Sequence, residues 1–157
     1  MTDAAARAGD PPGDVFHVAV LVDDLDEAIE RYGRTLGLTF GARQDRCLSV
    51  GTSGAPDVDT NLSLVYSHQG PPYIELMQAT ADTGVWGKHR SPGFHHIGAW
   101  VDDLDGRLAE LAAEGTRAEA TLGMSGKVIA VYLEPDDLSG VRLELCSRPA
   151  GPWSPPR

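Results

Sequence analysis

The chain has 157 residues, of which 41% are hydrophobic and 23% are charged, a composition that is ordinary for one soluble globular domain. Its formal net charge of −10 argues against nucleic acids and anionic membranes as partners, because both require clustered Lys and Arg. Two cysteines are too few for a disulfide framework, and no apolar run is long enough to span a membrane. We therefore expect a cytoplasmic protein that binds a small-molecule substrate.

Flexible tails are predicted at both ends of one folded domain. Residues 1–14 are rich in Ala, Gly, Pro and Asp and show no periodicity, and residues 149–157 are rich in Pro. The folded domain is therefore expected to span residues 15–148.

The first predicted element is a strand over residues 15–22, which leads into a helix. Alternation along this strand places Phe16 and His17 on opposite faces. Asp24 is a suitable N-cap for the helix, and Gly37 is a suitable residue to end it. After the helix we expect four strands, near residues 38–43, 46–50, 61–66 and 73–78.

The same order of elements recurs after a linker over residues 81–92, which is rich in turn-forming residues. A strand is expected over residues 94–101 and a helix over residues 104–114. Three further strands are expected near residues 116–121, 127–134 and 141–147. The domain is thus interpreted as two modules, about 15–80 and about 93–148.

An internal repeat relates the two modules through one histidine in each. His17 and His96 are 79 positions apart, and Val22–Asp26 keeps the same spacing to Val101–Asp105 without a gap. The repeat therefore selects His96 from the His95-His96 pair. His95 is expected to point to the other face of its strand and to make a structural hydrogen bond.

Each module also ends in a strand that carries one glutamate between two apolar residues. These glutamates are Glu75 and Glu144, and a carboxylate in that position is costly to bury without a partner. If the inner faces of both modules converge, two imidazoles and two carboxylates meet, a set that suits Ni, Co, Mn, Fe or Zn as a divalent ion. The residues alone leave two alternatives to metal binding open. His17 could be a hydrogen-bonded core histidine, and Glu75 and Glu144 could be solvated residues on a half-exposed sheet.

Strand alternation also predicts which side chains share the cavity with these four. The candidates for contact with substrate are Arg142, Tyr73, Met77, Trp100 and Cys146. Arg142 could hold an anionic substrate group, with a surface salt bridge as the alternative. Cys146 has no evident activating partner and is expected to line the wall only.

The paired βαβββ modules resemble the vicinal oxygen chelate superfamily, which includes glyoxalase I, methylmalonyl-CoA epimerase, extradiol dioxygenases and bleomycin-resistance proteins. Four motifs carry the resemblance: His17-Val18-Ala19-Val20, Tyr73-Ile74-Glu75-Leu76, His95-His96-Ile97-Gly98 and Gly140-Val141-Arg142-Leu143-Glu144-Leu145. In detail they look most like the methylmalonyl-CoA epimerase branch. The resemblance implies an α+β fold in which two tandem modules form curled mixed sheets around a shared cavity.

The resemblance further implies a metal ion bound by His17, Glu75, His96 and Glu144. Methylmalonyl-CoA epimerases usually have Gln where Glu75 stands, whereas a His/Glu/His/Glu set looks like bacterial glyoxalase I. The second acidic base of the epimerases is expected in the strands after the first helix. It has no clear match here, and Asp45 is the nearest acidic residue.

The first functional hypothesis is a metal-dependent enzyme, expected as a homodimer, that acts on a small enolisable carbonyl or vicinal-oxygen substrate. The metal would act as a Lewis acid, and Glu144 or Glu75, with Glu144 favoured, would transfer the proton. Such an enzyme would be an epimerase, an isomerase or a glyoxalase-like lyase. The alternatives are a non-catalytic protein that binds a natural product or antibiotic, and a ring-cleaving dioxygenase, against which a fourth ligand at Glu75 argues.

Overall fold

The structure, a computed structural model, describes residues 14–79, 84–86 and 91–157. Helix α1 covers Leu25–Leu36 and helix α2 covers Leu104–Ala113, and short 3-10 turns cover Gly84–Trp86 and Pro135–Leu138. The strands are β1 (Asp14–Leu21), β2 (Gln44–Thr52), β3 (Val58–Tyr66), β4 (Tyr73–Ala79), β5 (Gly93–Val101), β6 (Ala118–Met124), β7 (Lys127–Leu133) and β8 (Leu143–Ser147).

The eight strands form one closed barrel in the order β1-β4-β3-β2-β6-β7-β8-β5. Each module contributes four neighbouring strands, and the modules join along two antiparallel seams, β1 with β5 and β2 with β6. Both seams lie within one chain, so a single chain closes the barrel. The predicted α+β fold of two βαβββ modules around a shared cavity is confirmed.

Both helices begin at an aspartate cap, and the first of these, Asp24, is the one predicted from the sequence. Asp24 Oδ1 accepts a hydrogen bond of 2.9 Å from the backbone N–H of Glu27, and Asp103 Oδ1 accepts one of 2.9 Å from Gly106. Helix α1 ends at Gly37, whose φ of 69° lies in the left-handed region that favours glycine. Local capping therefore determines where each strand–helix unit turns.

The helices pack on the outside of the barrel and leave its interior to the inward-facing side chains. Leu25 of α1 is fully buried against Val65 and Leu76, and Leu104 of α2 packs against Val131. Burial of this apolar surface stabilises each helix by about 25 cal/mol per Å² removed from water. Neither helix is long and apolar enough to cross a membrane, within the residues that the structure describes.

The predicted strand over residues 38–43 does not form. The segment makes one isolated bridge, between Phe40 and Ser67, and its remaining backbone groups bond elsewhere. The N–H of Ala42 donates to the carbonyl of Pro156 at 3.2 Å, so this segment is shared between the barrel and the end of the chain. Phe40 of this segment packs in the cluster that contains Leu25 and Ala28 of α1.

The C-terminal residues, predicted as a flexible tail, make specific contacts with the barrel. The ring of Trp153 meets Phe16 and Tyr66 edge-to-face at centroid distances of 5.2 Å, and Trp100 at 5.6 Å. Periodicity could not reveal this contact, because the segment has neither helical nor strand repeats. The predicted N-terminal tail lies outside the described residues, except for Asp14.

Part of the predicted linker also belongs to the core. Val85 and Trp86, in the first 3-10 turn, are each 2% exposed and pack into the interior of the barrel. Residues 80–83 and 87–90 lie outside the described residues. The turn at 84–86 therefore belongs to the folded core.

Candidate metal centre

A β-bulge in β1 brings Phe16 into the interior beside His17. The register with β5 moves from Val15 opposite Ala99 to His17 opposite Gly98, which leaves Phe16 as the extra residue. The prediction that the two side chains take opposite faces is therefore wrong at this point: both are buried, with ring centroids 4.3 Å apart. Strand alternation assumes an unbroken ladder, which a bulge interrupts.

A second bulge, in β5, has the same effect on His95. The register moves from His96 opposite Ala19 to Phe94 opposite Val20, so that His95 is the extra residue. His95 is 4% exposed and lies beside His96, not on the far face of the strand. The predicted structural hydrogen bond exists, and it involves the other histidine directly.

The four side chains selected by the repeat meet inside the barrel. His17 Nε2 lies 2.8 Å from His96 Nε2, 3.3 Å from Glu75 Oε2 and 3.2 Å from Glu144 Oε2. His96 Nε2 lies 3.6 Å from Glu75 Oε2 and 3.0 Å from Glu144 Oε2. Donor atoms of His17, Glu75 and His96 lie within 4.8 Å of one another, and Glu144 joins them through its contacts with both histidines.

These distances fit a divalent ion. Ligand atoms about 2.1 Å from an ion lie about 3.0 Å apart at right angles and about 3.4 Å apart at tetrahedral angles. The five measured separations, from 2.8 to 3.6 Å, cover this range. Two imidazole nitrogens with two carboxylate oxygens also form a donor set that suits first-row transition metals. The residues present therefore fit the predicted metal ion.

The electrostatics of the cluster favour a positive charge between its members. Burial lowers the pKa of His17, but the carboxylates of Glu75 and Glu144 together raise it more, so that the pKa is raised overall. Burial raises the pKa of Glu144, but the contacts with His96 and His17 together bring it well below its usual range. An ionised carboxylate this deeply buried needs a nearby cation, which either a proton on imidazole or a metal ion supplies.

A chain of hydrogen bonds through His95 orients the ring of His96 from the side that faces away from the cluster. The Nε2–H of His95 donates to the carbonyl of Val85 at 2.9 Å, which leaves His95 Nδ1 as an acceptor. His96 Nδ1 lies 2.8 Å from that acceptor, so it carries the proton and leaves the Nε2 lone pair directed at the cluster. Burial and the neighbouring His96 lower the pKa of His95 to about 3, in keeping with a neutral ring.

Gly98 makes room for the other imidazole. A Cβ atom at this position would lie 1.9 Å from Cε1 of His17 and 2.4 Å from both of its ring nitrogens. Real Cβ contacts are never this short, so any side chain at residue 98 would displace the His17 ring. Sequence reasoning did not select Gly98, although its place two residues after His96 on the inward face was a signal.

Replacing Gly98 with Ala is expected to weaken metal binding strongly and to destabilise the fold by about 1–3 kcal/mol, the usual cost of overpacking. Gly123→Ala is the matched control, because a Cβ there meets its nearest neighbour at an ordinary 3.5 Å. Metal titration and urea unfolding of both variants check the expectation. Unchanged metal affinity in Gly98→Ala would contradict the account of His17.

Glu75 and Glu144 of the cluster line a cavity of about 140 Å³ whose walls are mainly apolar and aromatic. Of the predicted substrate contacts, Met77, Trp100 and Cys146 line this cavity together with Glu75 and Glu144. Sequence reasoning did not assign the other lining residues to the site: Phe16, Arg46, Leu48, Leu62, Leu64, Tyr66, Trp86, Leu122, Ile129, Ala130, Tyr132, Ser147 and Trp153.

The phenol and thiol groups in these walls are neutral at physiological pH. Burial, followed by the nearby carboxylates, raises the pKa of Tyr66 and Tyr132 well above the ordinary value. Burial and Glu144 likewise raise the pKa of the Cys146 thiol. Cys146 is therefore a protonated wall residue, as expected from its lack of an activating partner.

The structure places Arg142 outside the cavity. Its Nε and Nη2 donate to the two carboxylate oxygens of Glu119 at 2.5 and 2.9 Å, and its Nη1 donates to the carbonyl of His95 at 3.2 Å. Strand β8 begins at Leu143, so the alternation that predicted an inward Arg142 does not yet apply to it. Arg142 therefore holds the backbone carbonyl of His95, the residue next to the proposed metal ligand His96.

Tyr73 and Asp45 also lie apart from the cluster. The ring of Tyr73 packs on Trp153 at a centroid distance of 5.6 Å, and Tyr73 is not among the residues that line the cavity. Asp45 points outward and accepts hydrogen bonds from Ser63 and Arg43, so it does not provide a second base inside the barrel.

A closed barrel of two βαβββ modules around a buried two-histidine, two-glutamate centre defines the class of vicinal oxygen chelate folds. The family model described as "Glyoxalase/Bleomycin resistance protein/Dioxygenase superfamily" matches residues 16–129. The chain belongs to this superfamily, which confirms the resemblance found in the sequence.

Several methylmalonyl-CoA epimerases are similar to the chain. The ethylmalonyl-CoA/methylmalonyl-CoA epimerase of Cereibacter sphaeroides is 29% identical over 141 residues, which cover 85% of this chain and 96% of that protein. The human mitochondrial methylmalonyl-CoA epimerase is 28% identical over 140 residues, covering 85% of this chain and 73% of its own length. The structure of methylmalonyl-CoA epimerase from Mycobacterium tuberculosis matches with a TM-score of 0.60 and 25% identity, over 87% of this chain and 88% of that chain.

Proposed function

We propose that the protein is a metal-dependent enzyme of the epimerase or isomerase type, which moves a proton on the carbon next to a carbonyl group of a small substrate. The observation that carries the proposal is the convergence of four donor atoms, 2.8 to 3.6 Å apart, beside a cavity large enough for a small molecule and lined by two of the four residues. The similarity to methylmalonyl-CoA epimerases supports the same type of reaction.

The ion would be held by His17, Glu75, His96 and Glu144. A divalent ion in this position polarises a carbonyl oxygen and stabilises the negative charge that develops when the neighbouring carbon loses a proton. The apolar walls exclude water, which strengthens every charge interaction in the cavity.

Glu144 is the better placed of the two carboxylates to transfer the proton. Its side chain is 10% exposed and that of Glu75 is 4% exposed, so Glu144 offers more of its surface to a molecule in the cavity. Its lowered pKa keeps it ionised at neutral pH, the state in which a carboxylate can act as a base. Glu75 is proposed mainly as a ligand.

One observation favours a second candidate, a non-catalytic protein that binds a small molecule. Among the described residues that line the cavity, Glu75 and Glu144 are the only carboxylates, and both belong to the proposed metal centre. An epimerase that uses a separate base on each face of the substrate would need another one. The two candidates differ in whether the bound molecule exchanges its proton.

Metal content and proton exchange together test the proposal. Protein purified without chelator is expected to hold a stoichiometric divalent metal and to catalyse deuterium exchange at C2 of methylmalonyl-CoA in D₂O, followed by NMR. Chelation is expected to stop the exchange, and Co²⁺ or Ni²⁺ to restore it. Metal and ligand binding without exchange would favour the non-catalytic candidate, and oxygen uptake with Fe²⁺ and catechols would favour a dioxygenase.

All four proposed ligands come from one chain, so the proposed metal centre needs no ligand from a second copy. The homodimer and the cytoplasmic location stay predictions. Light scattering of the purified protein tests the first of them.

A further inference from the structure

Arg46 lines the same cavity as Glu75 and Glu144 of the proposed metal centre, and it carries a positive charge. On β2, Arg46 and Leu48 line the cavity, whereas Asp45 and Cys47 point outward. Arg46 is half-buried, and its charge acts on His17, Tyr66 and Cys146. The guanidinium is therefore close enough to the centre to interact with a molecule bound there.

The donors of Arg46 are not matched by a carboxylate. Within the described residues, no Asp or Glu lies within ion-pair distance of Arg46, although Arg43, three residues earlier, contacts Asp26 and Asp45. Arg46 Nη2 donates to Oε1 of Gln44, which orients the guanidinium through a neutral partner. A guanidinium has five N–H donors, so most of them are left for another acceptor.

Gln44 supplies an independent sign of a missing acceptor. Its Nε2 is fully buried and has no hydrogen-bond partner among the described residues, while its Oε1 is occupied by Arg46. Gln44 and Arg46 have the same parity on β2, so their side chains leave the same face of the strand. Gln44 is not among the residues that line the cavity, so it acts on a bound molecule through the orientation of Arg46.

Arg46 is the only Lys or Arg among the described residues that line the cavity. One guanidinium pairs with one carboxylate, so a bound group with a single negative charge is the matching partner. The cavity volume of about 140 Å³ is close to the roughly 150 Å³ that holds a benzene-sized molecule. A compact molecule, or the compact acyl end of a longer one, fits these limits.

We propose that Arg46, oriented by Gln44, binds a carboxylate of the substrate and so selects small carbonyl compounds that carry a free carboxylate over neutral carbonyl compounds. Planar guanidinium and carboxylate groups pair through two parallel hydrogen bonds, a geometry that fixes the orientation of the substrate as well as its affinity. The inference rests on the proposed function, because the carbonyl group is assumed to face the metal centre.

Two probes of equal size, acetoacetate and its neutral amide acetoacetamide, test the assignment by calorimetric titration of the metal-loaded protein. The wild type is expected to prefer acetoacetate, and Arg46→Gln to weaken acetoacetate binding by about 10- to 100-fold while the amide is unaffected. Arg46→Lys keeps the charge but not the paired geometry and is expected to lose part of the preference. Arg31→Gln, the same change at an exposed helix residue, is the control.

The two probes separate this inference from the proposed function. Failure of the metal centre lowers both affinities but leaves the preference for acetoacetate and its dependence on Arg46. The assignment to Arg46 is overturned if the wild type shows no preference, or if Arg46→Gln keeps it. Should Arg46→Gln fail to fold by circular dichroism, Arg46→Met retains the aliphatic stem and is expected to show the same loss.

Discussion

Replacing Glu144 with Gln is expected to lower the rate of deuterium exchange by about 10²- to 10⁴-fold while the chain stays folded, because the amide cannot accept the proton. The substitution keeps the volume of the side chain and one ligating oxygen, so the barrel retains its packing. Glu144 Oε2 lies 3.0 Å from His96 Nε2 and 3.2 Å from His17 Nε2, and it is the better exposed carboxylate of the cluster. Exchange rates and metal content should be measured on the same preparation.

Glu75→Gln is the matched comparison. Glu75 is almost fully enclosed and lies 3.3 and 3.6 Å from the two histidine nitrogens, positions that an amide oxygen can also occupy. Because the amide keeps the volume of the side chain and one ligating oxygen, Glu75→Gln is expected to keep most of the exchange activity. If both variants keep their metal and lose exchange activity equally, the assignment of proton transfer to Glu144 over Glu75 is wrong.

The repeat in the sequence was sufficient to predict the four members of the candidate metal centre. His17 and His96 keep a constant spacing with their surrounding motif, and Glu75 and Glu144 occupy equivalent strands of the two modules. Duplicated units pack with the same faces inward, so equivalent residues meet at the pseudo-symmetric centre. This inference uses the repeat and the alternation of side chains along each strand, and it does not depend on loop conformations.

What the sequence could not predict arises where the strands depart from regular pairing. The bulges at Phe16 and His95 turn both side chains inward, against simple alternation. Trp153 enters the aromatic wall from a segment without periodicity, a contact that depends on the path of the whole chain. Arg46 could have been found by continuing alternation along β2, but its significance depends on which partners it lacks in three dimensions.

The bulge at His95 also links the linker turn to the metal centre. Val85 lies in the 3-10 turn between the modules, and its carbonyl determines the tautomer of His95 and through it the tautomer of His96. The guanidinium of Arg142 holds the backbone carbonyl of His95 from the other side. The identity of residue 95 therefore affects the site without contact with the metal itself.

Replacing His95 with Phe is accordingly expected to weaken metal binding by about 10- to 100-fold, the usual effect of losing a partner that orients a ligand. Phe fills the space of the ring but offers no acceptor to His96 Nδ1, which leaves a buried N–H without a partner and frees the ring to adopt the unproductive tautomer. Titration with Zn²⁺ or Co²⁺ in competition with a chelator measures the affinity.

His68→Phe provides the control, because His68 is exposed and the hydrogen bond shown for its ring, among the described residues, is with Thr39. Thermal unfolding of the metal-free proteins separates the positioning role from general stability. A purely structural His95 would lower the melting temperature of the metal-free protein and leave the metal affinity of the folded fraction unchanged. A positioning His95 lowers that affinity even where the variant is fully folded, since the Nε2 lone pair of His96 then no longer has a fixed direction toward the cluster.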